Sequence, residues 1–270
     1  MSRKKDGIIN DLETLRKLKT ITNGNKKIEN VNTLISLLNF KKLGENLLNL
    51  LFTPKCYICN EYFEYSNNSC VCDKCKEIYK QYEVNRLFFD NECKELGIGI
   101  YRYDGVIRFF IQKMKYEKNK KIAKALAELA EDRVREFIKD KNVNYIVPIP
   151  IHPKRQVERG FNQSEIIVKV LSEKLGVQMR TDFVIRSRYT VPQSKLKFEE
   201  RKDNVKDTFE ILKKSELGGK DIILVDDIYT TGSTIEECSR VLNEHNTRKV
   251  YFLSISVSNN KSKGECSNEN

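Results

Sequence analysis

The chain has 270 residues, enough to bury a substantial core, so we expect one full domain with smaller additions. Its 49 Lys and Arg residues outnumber its 38 Asp and Glu residues, and the resulting formal charge of +11 is spread along the chain. This excess suits an anionic substrate and a nucleic-acid partner equally well, so charge alone excludes neither. Few Gly and Pro residues, many Lys, Glu and Asn residues and the absence of Trp are typical of a soluble globular protein.

Neither a secretory signal nor a membrane span is predicted. The opening residues 1–6 carry charges with no apolar segment behind them, and polar residues interrupt the most apolar region, 31–52. A span needs about 20 consecutive apolar residues. We therefore expect a cytoplasmic protein, and in a reducing compartment clustered cysteines are more often metal ligands than disulfides.

Residues 1–52 are predicted to form a helical N-terminal extension. Apolar residues recur at helical spacing from Ile8 to Ile21, and the polar turn 22–25 would end that helix. Residues 31–52 predict one or two amphipathic helices, which we expect to pack within the chain because large exposed apolar faces are rare. The sequence indicates no function for residues 1–30.

Residues 53–80 are predicted to form a zinc-knuckle module. Two C-x-x-C pairs, Cys56 with Cys59 and Cys72 with Cys75, are separated by twelve residues, whose aromatic side chains suit a small hairpin. Such pairs can enclose a tetrahedral Zn²⁺, and four thiolate ligands leave no open position, so this metal would be structural. Cys70 could replace Cys72 as the third ligand, although the C-x-x-C spacing favours Cys72. The alternative is a metal-free loop with free cysteines.

Residues 94–257 are predicted to form an α/β domain that begins with a strand at 96–104 and helices at 106–115 and 122–138. A basic patch lies around the junction of the two helices. It is a candidate contact for nucleic acid or for a substrate phosphate, although most such runs are only solvated. The patch comprises Lys113, Lys115, Lys118, Lys120 and Lys121.

A second informative stretch runs from residue 145 to residue 163. A buried strand leads into a proline-stiffened loop, on which Lys154 and Arg155 could neutralise a pyrophosphate, and a helix follows at 162–175. His152, a lone histidine beside two prolines, is more often a structural hydrogen-bonding residue than a catalytic base. Three further residues could orient a substrate base or cap the helix, and the sequence does not separate these roles: Arg159, Asn162 and Gln163.

The segment 186–196 is polar and contains a proline, which favours a mobile loop that closes over the site. A solvated surface loop is the alternative. A short strand at 208–212, a glycine turn at 218–219 and a last strand at 249–257 follow. Residues 258–270 are predicted to be a disordered polar tail in which Cys266 is an idle thiol.

The stretch 222–234 organises this domain. Four apolar residues, rich in β-branched side chains, predict a strand buried on both faces. Asp226 and Asp227 follow at its carboxyl end, where ligands bind in open α/β sheets. A helix is predicted at 234–242, and the amides at its start can hold a phosphate dianion. This cradle would comprise Thr230, Thr231, Gly232, Ser233 and Thr234.

The adjacent carboxylates of Asp226 and Asp227 need a partner other than the phosphate, because like charges repel. The vicinal hydroxyls of a sugar, or Mg²⁺ through water, are suitable partners. A phosphate cradle beside a hydroxyl-binding acidic pair predicts a site for a ribose 5-phosphate.

The stretch 222–234 resembles the signature for 5-phosphoribosyl-1-pyrophosphate (PRPP) in type I phosphoribosyltransferases. V-P-I-P-x-H-P-K-R followed by R-G-F-N-Q resembles the ComF family of bacterial phosphoribosyltransferase-like proteins, which is linked to DNA uptake in competent cells. R-x-x-x-T-x-P-Q-x-x-L at 186–196 is similar to that family as well, and the resemblance covers about residues 50 to 257. It implies the type I phosphoribosyltransferase fold, a central mostly parallel sheet flanked by helices.

The resemblance implies that a nitrogen nucleophile displaces pyrophosphate from C1 of PRPP, with Mg²⁺ as cofactor. Asp226 and Asp227 would be the catalytic pair that holds the ribose hydroxyls. Lys154 and Arg155 would contact the pyrophosphate together with Mg²⁺. No residue identifies the accepting base.

The competing hypothesis is a binding module that senses PRPP, or a DNA-uptake component that contacts single-stranded DNA, without turnover. A competence helicase is then a candidate partner, and an oligomer is not excluded. A zinc-ribbon nucleic-acid protein with an incidental α/β domain is a weaker hypothesis, because it leaves the stretch 222–234 unexplained.

Overall fold

The computed structural model describes residues 54–63, 69–91, 95–190 and 200–258, all of which belong to one compact unit, Thr53–Asn270. The predicted extension 1–52, the tail from residue 259 with Cys266, and residues 191–199 of the predicted lid lie outside the described residues. The described helices are α1 (Asp73–Lys80), α2 (Gly105–Tyr116), α3 (Lys120–Ile138), α4 (Pro153–Arg159), α5 (Gln163–Leu175), α6 (Glu200–Val205) and α7 (Ser233–Asn243). The strands are β1 (Glu83–Phe89), β2 (Glu95–Arg102), β3 (Tyr145–Pro148), β4 (Gln178–Met179), β5 (Val184–Arg186), β6 (Phe209–Ile211), β7 (Asp221–Tyr229) and β8 (Lys249–Val257), and one 3₁₀ turn spans Lys214–Glu216.

A six-stranded sheet in the order β1-β2-β8-β7-β3-β4 forms the centre of the domain. All neighbouring strands are parallel except β1, which runs antiparallel to β2 at one edge. β5 and β6 form a separate antiparallel pair. The predicted α/β class with a central, mostly parallel sheet is confirmed.

β7 lies between β8 and β3 and is covered on both faces. Ile223 and Val225 pack in the core on the side of α3 and α5, whereas Ile222 and Leu224 pack in the core on the side of α7. All four side chains are buried, as the apolar run predicted. Because successive strand residues point to opposite faces, one short run fills both layers.

The elements that differ from the predicted ones include α4, β1 and β7. Helix α4 replaces the predicted loop after β3: Pro153 occupies its first turn, where a missing N–H costs nothing, and His152 Nδ1 accepts a hydrogen bond from the Lys154 amide at 3.2 Å. Gly160, with φ of 79°, ends the helix. β1 had no predicted counterpart, and β7 continues through the aspartate pair to Tyr229 instead of ending before it.

The cysteine module is joined to α3 through Glu128. Its carboxylate accepts a hydrogen bond from the Cys70 amide at 2.9 Å and another from the Ser69 hydroxyl. Ala125 of the same helix shares a small core with Cys56 and neighbouring module residues. One antiparallel bridge joins Lys55 to Tyr62. Among the described residues, the helices are too short or too polar to cross a bilayer.

Candidate active site

A cleft of about 400 Å³ opens at the carboxyl ends of β7 and β3. Ligands bind at this position in open α/β sheets because the loops there diverge from the strand ends. Residues of α2, α4, β5 and α6 line the cleft together with the ends of β3 and β7. The charged lining residues are Arg108, Lys115, Arg155, Arg159, Arg186, Arg201, Asp226 and Asp227. Cations therefore surround a pair of carboxylates.

Asp226 lies on the floor of the cleft at the end of β7. Its Oδ1 accepts hydrogen bonds from the Asp227 amide at 2.8 Å and from Ser164 Oγ at 3.3 Å. The residue is partly exposed, but protein surrounds the carboxyl group closely, and burial followed by the charge of Asp227 raises its pKa to about 7. The charge of Lys115 opposes this rise.

Asp227 forms an ion pair with Lys115 of α2, whose Nζ lies 2.7 Å from Oδ2. Both side chains are largely buried, with 10% and 18% of their surfaces exposed. Oδ2 receives no aligned hydrogen bond from any described residue, so the contact is mainly Coulombic. A buried carboxylate oxygen without an aligned donor is the kind of hard ligand that Mg²⁺ or a sugar hydroxyl can use.

Three arginines line the cleft close to one another. Arg155 donates to the Thr190 carbonyl at 2.7 Å, Arg186 to the Thr190 hydroxyl at 2.8 Å, and Arg159 to the Gln163 side-chain oxygen at 3.3 Å. All three acceptors are uncharged. Burial, and then the nearby Arg155, lowers the pKa of Arg186 to about 10. This arginine cluster, Arg155, Arg159 and Arg186, is therefore a site of strong attraction for a polyanion.

The predicted phosphate cradle forms the turn between β7 and α7. Gly232 precedes the helix with φ of 82°, and Thr231 Oγ1 lies 2.7 Å from Ser233 Oγ. Thr230 and Thr234 line the cleft, whereas Gly232 and Ser233 border an adjoining recess of about 10 Å³, with room for about one water molecule.

The structure brings together only part of the predicted pyrophosphate site. Arg155 lines the cleft, but Lys154 is exposed and does not; its Nζ lies 5.6 Å from the centre of the Tyr189 ring. His152 caps α4 and does not line the cleft. Arg159, for which the sequence left two roles open, lines the cleft one helical turn after Arg155.

For two residues that line the cleft, Lys115 and Arg186, the sequence predicted other locations. Lys115 was grouped with the basic patch, and Arg186 was placed at the start of the mobile loop, yet Arg186 ends β5 and is buried. If the sequence had been interpreted as a helix at 153–159 instead of a loop, the four-residue spacing would have placed Arg155 and Arg159 on one face of that helix. No local signal identifies Lys115, because its partner is distant in the sequence.

The four cysteines of the two C-x-x-C pairs come together. Their sulfur atoms all lie within 4.8 Å of one another, and the sulfurs of Cys59 and Cys72 are 3.8 Å apart. A tetrahedral Zn²⁺ with Zn–S bonds of about 2.3 Å gives sulfur–sulfur distances of roughly 3.8 Å. Cys70 is not part of this group; burial and the neighbouring Glu128 raise the pKa of its thiol. The donor set therefore fits a metal.

Comparison with known proteins gives a matched region that includes most of the residues lining the cleft. The family model described as phosphoribosyl transferase domain matches residues 113–265, more than half of the chain. "Competence protein F" of Haemophilus influenzae is 30% identical over 148 residues, covering 53% of this chain and 65% of that protein. "DNA utilization protein YhgH" of Escherichia coli K12 is 33% identical over 135 residues, covering 49% and 59%. This chain thus spans less than two thirds of the length of either relative.

A third relative matches over a longer stretch. "Competence protein ComFC" of Streptococcus pneumoniae is 25% identical over 229 residues, covering 70% of this chain and 89% of that protein.

Proposed function

We propose that this chain, which belongs to the phosphoribosyl transferase domain family and is of the ComF type, binds PRPP in the cleft between α2 and α4 and transfers its phosphoribosyl group to a nitrogen nucleophile. One observation carries the proposal: the aspartate pair and the arginine cluster face the same cleft, beside the turn that begins α7. PRPP has the matching parts, namely a diol, a pyrophosphate and a 5-phosphate.

The charges of the cleft are complementary in kind to those of PRPP. Within the described part of the chain, the side-chain hydrogen bonds given for the arginine cluster go to uncharged acceptors, so its positive charge would be available to the pyrophosphate. Asp226 and Asp227 would accept hydrogen bonds from the ribose hydroxyls. The turn residues Thr230 to Thr234 would bind the 5-phosphate through amides and hydroxyls at the start of α7.

The proposed reaction breaks the bond between C1 and the pyrophosphate oxygen and forms a bond between C1 and nitrogen. The electron pair leaves with pyrophosphate, and the nitrogen loses a proton to water. Positive charge develops on the ribose and negative charge on the leaving group, so the protein acts by position and electrostatics. Arg155, Arg159 and Arg186 would stabilise the departing pyrophosphate, with a smaller part for the exposed Lys154.

The donor atoms also suit two metals. Asp227 Oδ2 and the Asp226 carboxylate would hold Mg²⁺ directly or through water, and the ion would supply charge neutralisation at the pyrophosphate. Cys56, Cys59, Cys72 and Cys75 would hold a structural Zn²⁺.

Pyrophosphate release from PRPP and Mg²⁺ tests this function, with a panel of bases and amines as acceptors. Asp227→Asn should reduce the release by at least about 100-fold, as expected for loss of a group that orients charge in the transition state. The control is Asp140→Asn, an exposed carboxylate distant from the cleft in the sequence, which should keep full activity. Circular dichroism should be the same for all three proteins.

Two outcomes contradict the proposal in different ways. If calorimetry detects no binding of PRPP with Mg²⁺, the site is not a PRPP site. If PRPP binds but no acceptor yields pyrophosphate, the chain is a PRPP sensor and not a transferase.

A second candidate function is contact with single-stranded DNA. Lys120 lies 5.7 Å from the centre of the Phe161 ring and Lys121 5.4 Å from that of Tyr57, beside a groove of about 650 Å³ that Lys124 also lines. Lysines beside aromatic rings are typical of single-strand binding surfaces. Oligonucleotide binding that falls steeply with salt and survives Asp227→Asn would separate DNA contact from the aspartate pair.

A further inference from the structure

Lys115 reaches the floor of the cleft from a firmly held helix. Ile107, Ile111 and Met114 of the same helix are completely buried in the core. The helix therefore holds the backbone of Lys115 in place, and the lysine stem extends over the end of β7 to Asp227 Oδ2, 2.7 Å from its Nζ.

Lys113, two residues earlier, shows what an ordinary ion pair on this helix looks like. It pairs with Glu117 of the next turn at 3.7 Å, where 60% of the Glu117 side chain is exposed. Lys115 instead joins two distant elements, is largely buried, and lines the cleft itself. Its partner is one of the two carboxylates that the proposed function assigns to the sugar and the metal.

The position of the ammonium group has a chemical consequence. A divalent cation and a lysine ammonium compete for the same carboxylate, because both are positive and each needs close contact with its oxygens. Asp227 Oδ2 has no aligned donor among the described residues, so nothing besides the ammonium charge holds it.

We propose that Lys115 is an internal counter-ion that occupies the metal- and sugar-binding side of Asp227 until substrate arrives, and thereby sets how tightly the aspartate pair binds a divalent cation. This inference rests on the proposed function. Lys115 is a positioning residue: it acts on substrate through Asp227. Its four-carbon stem allows the ammonium to leave Asp227 and remain in the cleft, where the bound pyrophosphate would attract it.

Binding of Mn²⁺ alone, followed by electron paramagnetic resonance without PRPP, tests the proposal. Lys115→Met should bind Mn²⁺ at the aspartate pair at least about tenfold more tightly than the unaltered chain, because a charge repelling the ion at close range is gone. Lys113→Met, the matched control on the same helix, should leave the affinity unchanged. The double variant Lys115→Met, Asp227→Asn should lose the whole gain in Mn²⁺ affinity, because a double-mutant cycle isolates the interaction between these two residues.

The proposal would be overturned if Lys115→Met and the unaltered chain bound Mn²⁺ with equal affinity, or if the gain in affinity survived Asp227→Asn. Circular dichroism of each variant establishes that it is folded, and Lys115→Arg, which keeps the charge, should retain the weak affinity if folding is intact. The experiment separates this inference from the proposed function. Failure of PRPP to bind the unaltered chain with Mg²⁺ refutes the function, whereas the Mn²⁺ titration reports on Lys115 independently of the sugar.

Discussion

Replacing Arg186 with methionine should make the ligand-free protein more stable and weaken its binding of pyrophosphate. Arg186 is 9% exposed and lies beside Arg155 and Arg159, with an uncharged hydroxyl as its hydrogen-bond acceptor. Methionine can fill much of the space of the arginine stem without bringing a charge into this region. The charge that would attract an anion therefore destabilises the ligand-free protein.

The magnitude follows from the pKa of Arg186. Burial, and then the neighbouring arginines, lowers this pKa to about 10, whereas an arginine in an unfolded chain titrates above about 12. At about 1.4 kcal/mol per pKa unit, the charge costs the folded state about 3 kcal/mol at neutral pH. Methionine forfeits the hydrogen bond to Thr190, worth about 1 kcal/mol, and the cation contact with the Phe209 ring, worth about 0.5–1 kcal/mol. The net stabilisation should be about 1 kcal/mol.

The pH dependence has a definite sign. Below pH 10 Arg186 carries its proton in both the folded and the unfolded chain, so the full cost is present. As the pH rises through 10, the folded chain releases the proton first and the cost declines. The advantage of the variant should therefore be constant at neutral pH and should shrink in alkaline solution.

Urea unfolding, followed by circular dichroism with and without pyrophosphate, measures both effects. Without ligand the variant should unfold at higher urea than the unaltered chain; with saturating pyrophosphate the order should reverse, because the ligand stabilises the form that binds it more tightly. Arg135→Met is the control: this arginine has 53% of its side chain exposed and pairs with Glu131, so its loss should change stability by less than about 1 kcal/mol. A ligand-free variant less stable than the unaltered chain would refute the reasoning.

Three further predictions follow from the geometry. Gly232→Ala should lower the melting temperature and weaken ribose 5-phosphate binding, because φ is +82° and a Cβ would lie 2.3 Å from the Tyr229 hydroxyl oxygen. The control Gly176→Ala, at a position with φ of +71° and open space, should show only the cost of the backbone angle, about 1 kcal/mol. Equal losses of stability at both positions would exclude the steric cause. Cys59→Ser should reduce zinc content below one ion per chain in metal analysis, whereas Cys70→Ser should keep the ion; zinc loss in the second variant would make Cys70 a ligand. Gln163→Leu should weaken pyrophosphate binding about three- to tenfold in calorimetry, because the buried amide that holds Arg159 is lost, and an unchanged affinity would mean that Arg159 needs no such support.

The sequence predicted best where one short segment contains its own signals. The apolar residues at 222–225 predicted a buried strand, and β7 occupies the centre of the sheet with those four side chains buried on its two faces. The apolar spacing at 106–115 likewise predicted helix α2, including the buried face of Ile107, Ile111 and Met114. In both cases the spacing of apolar residues within the segment itself predicts the type of element and its buried face.

Prediction failed where the signal was ambiguous or distant. The prolines before Arg155 favoured a loop, but Pro153 at the first turn is compatible with a helix, and α4 forms there. Arg186 lies in a polar stretch whose composition favours a loop, yet pairing of β5 with β6 buries it. The contact of Lys115 with Asp227 joins α2 to β7 and has no counterpart in any sequence spacing.

The carboxylate of Glu128 couples the stability of the α/β domain to the presence of the cysteine module. Motifs alone divide the chain between residues 80 and 94, but a protein shortened to begin at residue 95 would lose the Ser69 and Cys70 donors, leaving this half-buried anion without them, and would uncover Ala125. β2 would simultaneously become an unprotected sheet edge, which invites self-association. A fragment that contains only the α/β domain from residue 95 onward should therefore aggregate, and a soluble fragment should need to retain the cysteine module.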